Sequence, residues 1–199
     1  MNILIVDDSK MNVKIAFDAL KEHGLDAEIS ACYTGEEAID LIEKEQIDIV
    51  LLDIIMPGIS GIDVLKIMNM KNLIEKTKVI MLTNVDDLQV LRECFELGAT
   101  DYLRKPFEKS ELAARVKSVL DELISNRLQM NSYLEEVGKD ILILLEQTIA
   151  VENEMETLLN AWMVDTQDKE KASMLLRLSH TLHNNLKDIK TNLVDKHNY

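Results

Sequence analysis

The chain has 199 residues, 47% of them hydrophobic, enough for two small domains that each bury a core. Its formal net charge of −14 combines 22 basic with 36 acidic residues, and neither half has the basic excess with which a nucleic-acid binder neutralises phosphates. The apolar run 3–6 stops at Asp7 and Asp8, and the run 141–145 is bounded by Asp140 and Glu146, so neither a signal peptide nor a membrane span is expected and the protein should be cytoplasmic.

Short β-branched runs at 3–6, 27–31, 47–52, 78–82 and 100–103 alternate with segments of helical period at 10–23, 36–45, 62–69 and 87–97, and a fifth helix starts near Glu108. Gly24 and Gly98 stand where the first and fourth helices should stop. This alternation predicts an α/β fold with a five-stranded, parallel, doubly wound sheet and helices on both faces. Five of the six glycines, both prolines and all three phenylalanines lie before residue 108, and the remainder of the chain is rich in Leu, Ile, Met, Glu, Lys and Asn. The shift marks a boundary between a loop-rich mixed fold and a helical segment.

In such sheets ligands bind beyond the carboxyl ends of the strands. Asp7 and Asp8 follow the first strand, Asp53 and Thr83 end the third and fourth, and Lys105 follows the fifth. Three carboxylates in one crevice repel one another unless a hard cation sits among them, and all-oxygen ligation suits Mg²⁺. A lysine ammonium and a threonine hydroxyl at the same rim could hold a phosphoryl group. Taken singly, these residues also have bland readings: Asp8 or Ser9 as a helix cap, Lys105 as a solvated charge, Tyr102 as core. Met11, Met68, Met70 and Met81 read as core or groove filler, and Cys32 and Cys94 as reduced core residues.

Asp7 with Asp8, then Asp53 followed by Met56, Pro57, Gly58 and Gly61, then Thr83, Tyr102 and the run Lys105, Pro106, Phe107 occur in this order at or near strand ends. Over residues 1–120 the sequence resembles the response-regulator receiver domain of two-component signalling. The resemblance implies a flavodoxin-like fold and a switch that catalyses only its own phosphorylation. In that reading Asp53 attacks the phosphorus of a phosphohistidine on a cognate histidine kinase or phosphotransfer protein, or of a small phosphodonor. Asp7, Asp8, Asp53 and the backbone carbonyl of Ile55 would surround Mg²⁺, Thr83 and Lys105 would bind the phosphoryl oxygens, and Tyr102 would change rotamer with Thr83.

Residues 121–199 predict a helical dimerisation and output domain: a long helix to about 163, a turn at 165–168 and a second helix over about 168–196. Apolar residues recur at alternating steps of four and three from Leu112, through Ile141, Leu144, Val151, Met155 and Leu158, to Trp162, as in a coiled coil. Gly138 leaves two readings open, one continuous helix or two. The second helix carries Ala172, Leu175, Ser179, Leu182, Leu186, Ile189 and Leu193 on one stripe. Two amphipathic helices cannot bury both faces alone, so a homodimeric four-helix bundle that docks a downstream protein is expected.

Residues 178–189 resemble the phosphoacceptor box of the histidine kinase dimerisation and phosphotransfer domain, through His180, Asn184, Asn185 and Leu186. Thr181 departs from that pattern, and only 19 residues follow His180, too few for an ATP-binding domain. The competing function is therefore a phosphorelay histidine phosphotransferase, or the N-terminal fragment of a receiver-headed histidine kinase, using His180. The plainer reading makes His180 an exposed helix residue.

Overall fold

The computed structural model describes every residue except 85–87, 166–168 and 198–199, and the side chains of all but these and 163–165, 169, 172 and 192–197. The turn expected at 165–168 therefore lies largely outside the described residues, as do the side chains of Ala172 and Leu193. The chain divides into two compact units, Met1–Ser125 and Asn126–Tyr199.

In the first unit strands and helices alternate: β1 (Asn2–Val6), α1 (Lys10–Glu22), β2 (Glu28–Cys32), α2 (Gly35–Lys44), β3 (Ile49–Asp53), α3 (Gly61–Met70), β4 (Lys78–Thr83), α4 (Leu88–Glu96), β5 (Asp101–Arg104) and the start of α5 (Lys109–Asp165). All neighbouring strands pair in parallel, in the order β2-β1-β3-β4-β5. Strand side chains alternate between the faces. Leu4, Val6, Val50, Leu52, Val79 and Met81 join a core with residues of α2, α3 and α4. Ile3, Ile5, Ile49, Leu51, Ile80 and Leu82 meet residues of α1 and α5 on the other side. The central strands are thus buried on both faces, which is why they read as unbroken apolar runs.

The helices start where their caps sit. Ser9 and Thr34 accept hydrogen bonds from the backbone N–H of Asn12 and Glu37, and Ser60 forms a reciprocal box with Asp63. Met68 and Met81 are fully buried, as expected of core or groove filler, whereas Met11 and Met70 are exposed. Period alone does not assign the first and last turns of a helix to a face.

The second unit holds the remainder of α5 and the whole of α6 (Lys169–His197). α5 passes through Gly138 without a break, which resolves the choice at that residue. The two helices meet along a seam that includes Leu142, Leu145, Ile149 and Glu152 of α5 and Leu176, Ser179, His183 and Leu186 of α6, all buried or half-buried. Three pairs tie it: Glu146 to Lys190 at 2.7 Å, Glu152 to His183 at 3.3 Å and Glu156 to His180 at 3.0 Å. Ser179 and Leu186 of the stripe expected on α6 lie in the seam, but elsewhere the seam is displaced by about one residue from the stripes expected to meet. Ile141, Leu144, Val151 and Leu158 on α5, and Leu175, Leu182 and Ile189 on α6, are exposed. Among the described residues, no helix is long and apolar enough to cross a membrane.

Candidate functional site

The carboxyl ends of β1, β3 and β4 bring the site together. Asp7 directly follows β1, Asp53 is the last residue of β3 and Thr83 the last of β4, and all three are buried. Their order is fixed by the ladder: Asp53 pairs with Leu82, and the Ile54 N–H donates to the Leu82 carbonyl. Lys105, just past β5, donates its backbone N–H to the Thr83 carbonyl at 2.7 Å, which anchors the loop carrying its side chain.

The Lys105 ammonium lies 2.6 Å from Asp7 Oδ2 and 2.8 Å from Asp53 Oδ2, with all three side chains nearly inaccessible to solvent. Asp8, exposed at the rim, completes a cluster in which one carboxylate oxygen from each of Asp7, Asp8 and Asp53 lies within 4.8 Å of the others. Among the described residues no other histidine, cysteine or acidic group of three is tight enough to hold an ion. Burial pushes the Asp53 carboxyl above the usual carboxylate range, and the Asp7 charge adds to this. Lys105 and the Ile55 N–H, which donates to Asp53 Oδ1 at 3.4 Å, pull the other way without cancelling it.

One neighbour of this cluster was not singled out from the sequence. Asn12 donates through its side-chain amide to Asp7 Oδ1 at 3.0 Å, and the Ser9 N–H donates to the same oxygen at 2.9 Å. Asn12 is in the first turn of α1, so its spacing from Asp8 was the available signal. Gly61, part of the motif read from the sequence, has a steric role that the motif did not show. A Cβ there would sit 2.0 Å from the Asp53 carbonyl oxygen, so only glycine lets α3 start this close to the strand end.

Tyr102 lies on β5 opposite Met81, half-exposed, with its ring edge-on to Phe95 at 5.9 Å between centroids. Ile55 is exposed beside Asp53. Cys32 and Cys94 are buried free thiols, and burial pushes Cys32 up to about 12, far from a reactive thiolate. His180, on α6 in the other unit, is 62% exposed and its Nδ1 faces Glu156.

These features define a doubly wound α/β protein whose chemistry is an acidic, lysine-bearing crevice at the carboxyl edge of a parallel sheet. The model of the response regulator receiver domain family matches residues 3–117. The receiver domain of the Francisella response regulator 1452 is similar, at 31% identity and a TM-score of 0.57, over 61% of this chain and 98% of that one. So is the signal receiver domain of a putative Luxo repressor protein from Vibrio parahaemolyticus, at 28% identity and a TM-score of 0.60, over 64% of this chain and 95% of that one. A chain of the CheX-CheY-BeF3-Mg²⁺ complex from Borrelia burgdorferi matches at 34% identity and a TM-score of 0.54, over 60% of this chain and 89% of that one. The chain belongs to the response regulator receiver family, and its first unit is the receiver domain of a two-component response regulator.

Proposed function

We propose that Asp53 accepts a phosphoryl group from a histidine kinase or phosphotransfer protein, and that the resulting change is passed to C-terminal helices that self-associate and dock a downstream protein. The observation that carries this reading is the Lys105 ammonium held between Asp7 and Asp53 in a buried crevice at the strand ends. In the transfer, an Asp53 carboxylate oxygen forms a bond to phosphorus while the bond from phosphorus to the donor imidazole nitrogen breaks. The electron pair returns to the imidazole. Lys105 then turns from the carboxylates to a phosphoryl oxygen, the Thr83 hydroxyl donates to another, and Tyr102 follows Thr83 inward.

Three carboxylates against one ammonium leave the crevice short of positive charge, which fits a hard divalent cation. Asp7, Asp8, Asp53 and the Ile55 carbonyl would hold Mg²⁺. Bound there, it supplies the charge that lets a phosphodonor approach an anionic nucleophile. Incubation of the protein with acetyl phosphate tests the reading. Mass spectrometry should find one phosphoryl group, on Asp53, formed with Mg²⁺ and not with chelator. Equal phosphorylation of an Asp53→Ala protein would sink it.

A second reading, favoured by one contact, gives the helical unit a phosphoacceptor of its own. Thr181 has no carboxylate, and its hydroxyl donates to the Arg177 carbonyl. Glu156, from the other helix, instead faces His180 Nδ1 at 3.0 Å, which orients the ring and leaves Nε2 as the nucleophile. Phosphoryl transfer would then run between His180 and an aspartate, its own Asp53 or that of a separate receiver. The assay gives the Asp53→Ala protein a phosphorylated receiver and looks for acid-labile, base-stable label that is absent from Asp53→Ala/His180→Ala. No label would leave the helices as a dimerisation and docking unit alone.

A further inference from the structure

In the helical unit each seam position is preceded by a residue that the seam does not cover, and most of these are apolar. On α5 they include Ile141, Leu144, Val151, Met155 and Leu158; on α6 they include Leu175, Leu178, Leu182 and Ile189; all nine are exposed. One residue is a turn of about 100° around an α-helix. The glutamate pairs run in opposite directions along the two helices, from 146 with 190 to 156 with 180, so α5 and α6 are antiparallel. In an antiparallel pair, stepping one residue back from the seam turns both stripes to the same side of the hairpin. The opposite side, one residue after the seam, is mostly polar, with Glu146, Asn153 and Asn160 on α5 and Arg177, His180 and Lys187 on α6.

Each helix thus has an apolar arc wide enough to meet two neighbours, and inside one hairpin it meets one. We propose that a second copy of this hairpin covers the exposed stripes, related by a twofold axis along the helices, to complete a four-helix bundle. The proposal rests on the self-association reading above and adds the face that is used and the partner that fits it. Charge selects a second copy. Residues 126–165 carry two basic and eight acidic residues, whereas residues 169–197 carry six basic and three acidic. A twofold axis along the hairpin sets each acidic α5 beside the partner's basic α6 as well as its own, antiparallel in both cases. His180 stays on the uncovered polar side.

Light scattering on the full chain at tens of micromolar tests this, with Leu158→Glu and Leu182→Glu on the stripe face and Asn153→Glu and Asn184→Glu on the polar face as controls. The parent and both controls should be dimers, and each stripe variant should weaken the dimer at least tenfold. Because Leu158 and Leu182 are exposed within one chain, each variant should keep its helical circular dichroism, and the two report independently if one does not. Stripe variants that stay dimeric, or controls that dissociate equally, overturn the assigned face while self-association stands. A monomeric parent overturns both and leaves the face to a helix of another protein.

Discussion

Asp53 is held at a cost that the fold imposes and that a cation or phosphoryl chemistry can offset. Its folded-state pKa lies above its unfolded value because burial penalises the charged form and Asp7 adds to that. Between the two values the folded chain binds more protons than the unfolded chain, so stability falls as pH rises through that window and stays lower above it. Asp53→Asn removes this loss. In Mg²⁺-free buffer at pH 7 the variant should melt several degrees above the parent. The gap should close as pH falls below about 4, where the unfolded carboxyl also protonates. Added Mg²⁺ should narrow it at pH 7 by binding the folded parent. Thermal denaturation over this pH range decides the matter, and a variant that melts at or below the parent at pH 7 without metal contradicts it.

At the level of elements, the site depends on how closely α3 approaches the end of β3. Gly61 opens α3 against the Asp53 backbone, where a methyl group would meet the carbonyl oxygen, the carbonyl carbon and the Ile54 Cα at 2.0, 2.9 and 3.0 Å. These are backbone atoms and cannot rotate away. Gly61→Ala should therefore lose about 1–3 kcal/mol of stability by overpacking, and it should slow Asp53 phosphorylation because the strand end must shift. Gly24→Ala is the contrast. Gly24 has φ +67°, and a methyl group there would meet nothing within 4 Å, so alanine strains the turn after α1 without touching the site. Urea denaturation with acetyl phosphate labelling should show both variants destabilised and only Gly61→Ala slowed. Equal labelling rates would show that the close approach serves packing alone.

Across the whole molecule, one helix takes part in both units. Near its start, Leu112, Val116, Val119 and Leu120 of α5 are buried in the receiver core, and from Asn126 onward the same helix belongs to the hairpin. The receiver is stabilised by a core buried on both faces of its sheet. The hairpin has one covered seam containing buried polar groups, with Glu152 and His183 at ion-pair distance but not hydrogen-bonded to each other. A seam of that kind contributes less than an apolar one, so covering the second stripe matters more to this unit than to the receiver. The tenfold loss expected of the stripe variants measures that dependence.

The receiver fold was legible in the sequence because its signals are local. A strand buried on both faces must be apolar throughout, and the acidic and basic groups of the crevice stand at strand ends. Asp7, Asp53, Thr83 and Lys105 could therefore be placed before their distances were known. Which residues face one another across separate segments was not legible. The heptad-like stripes were correctly seen as mostly apolar, yet apart from Ser179 and Leu186 the seam between α5 and α6 runs through residues one step away, because a helix with an apolar arc over 100° wide does not itself choose which edge meets its partner. The same limit hid Asn12 beside Asp7, Glu156 beside His180 and the exposure of Met11 and Met70. Sequence determined the elements and the chemistry at their ends; the tertiary structure decided the pairings, because a pairing depends on two surfaces and a period describes only one.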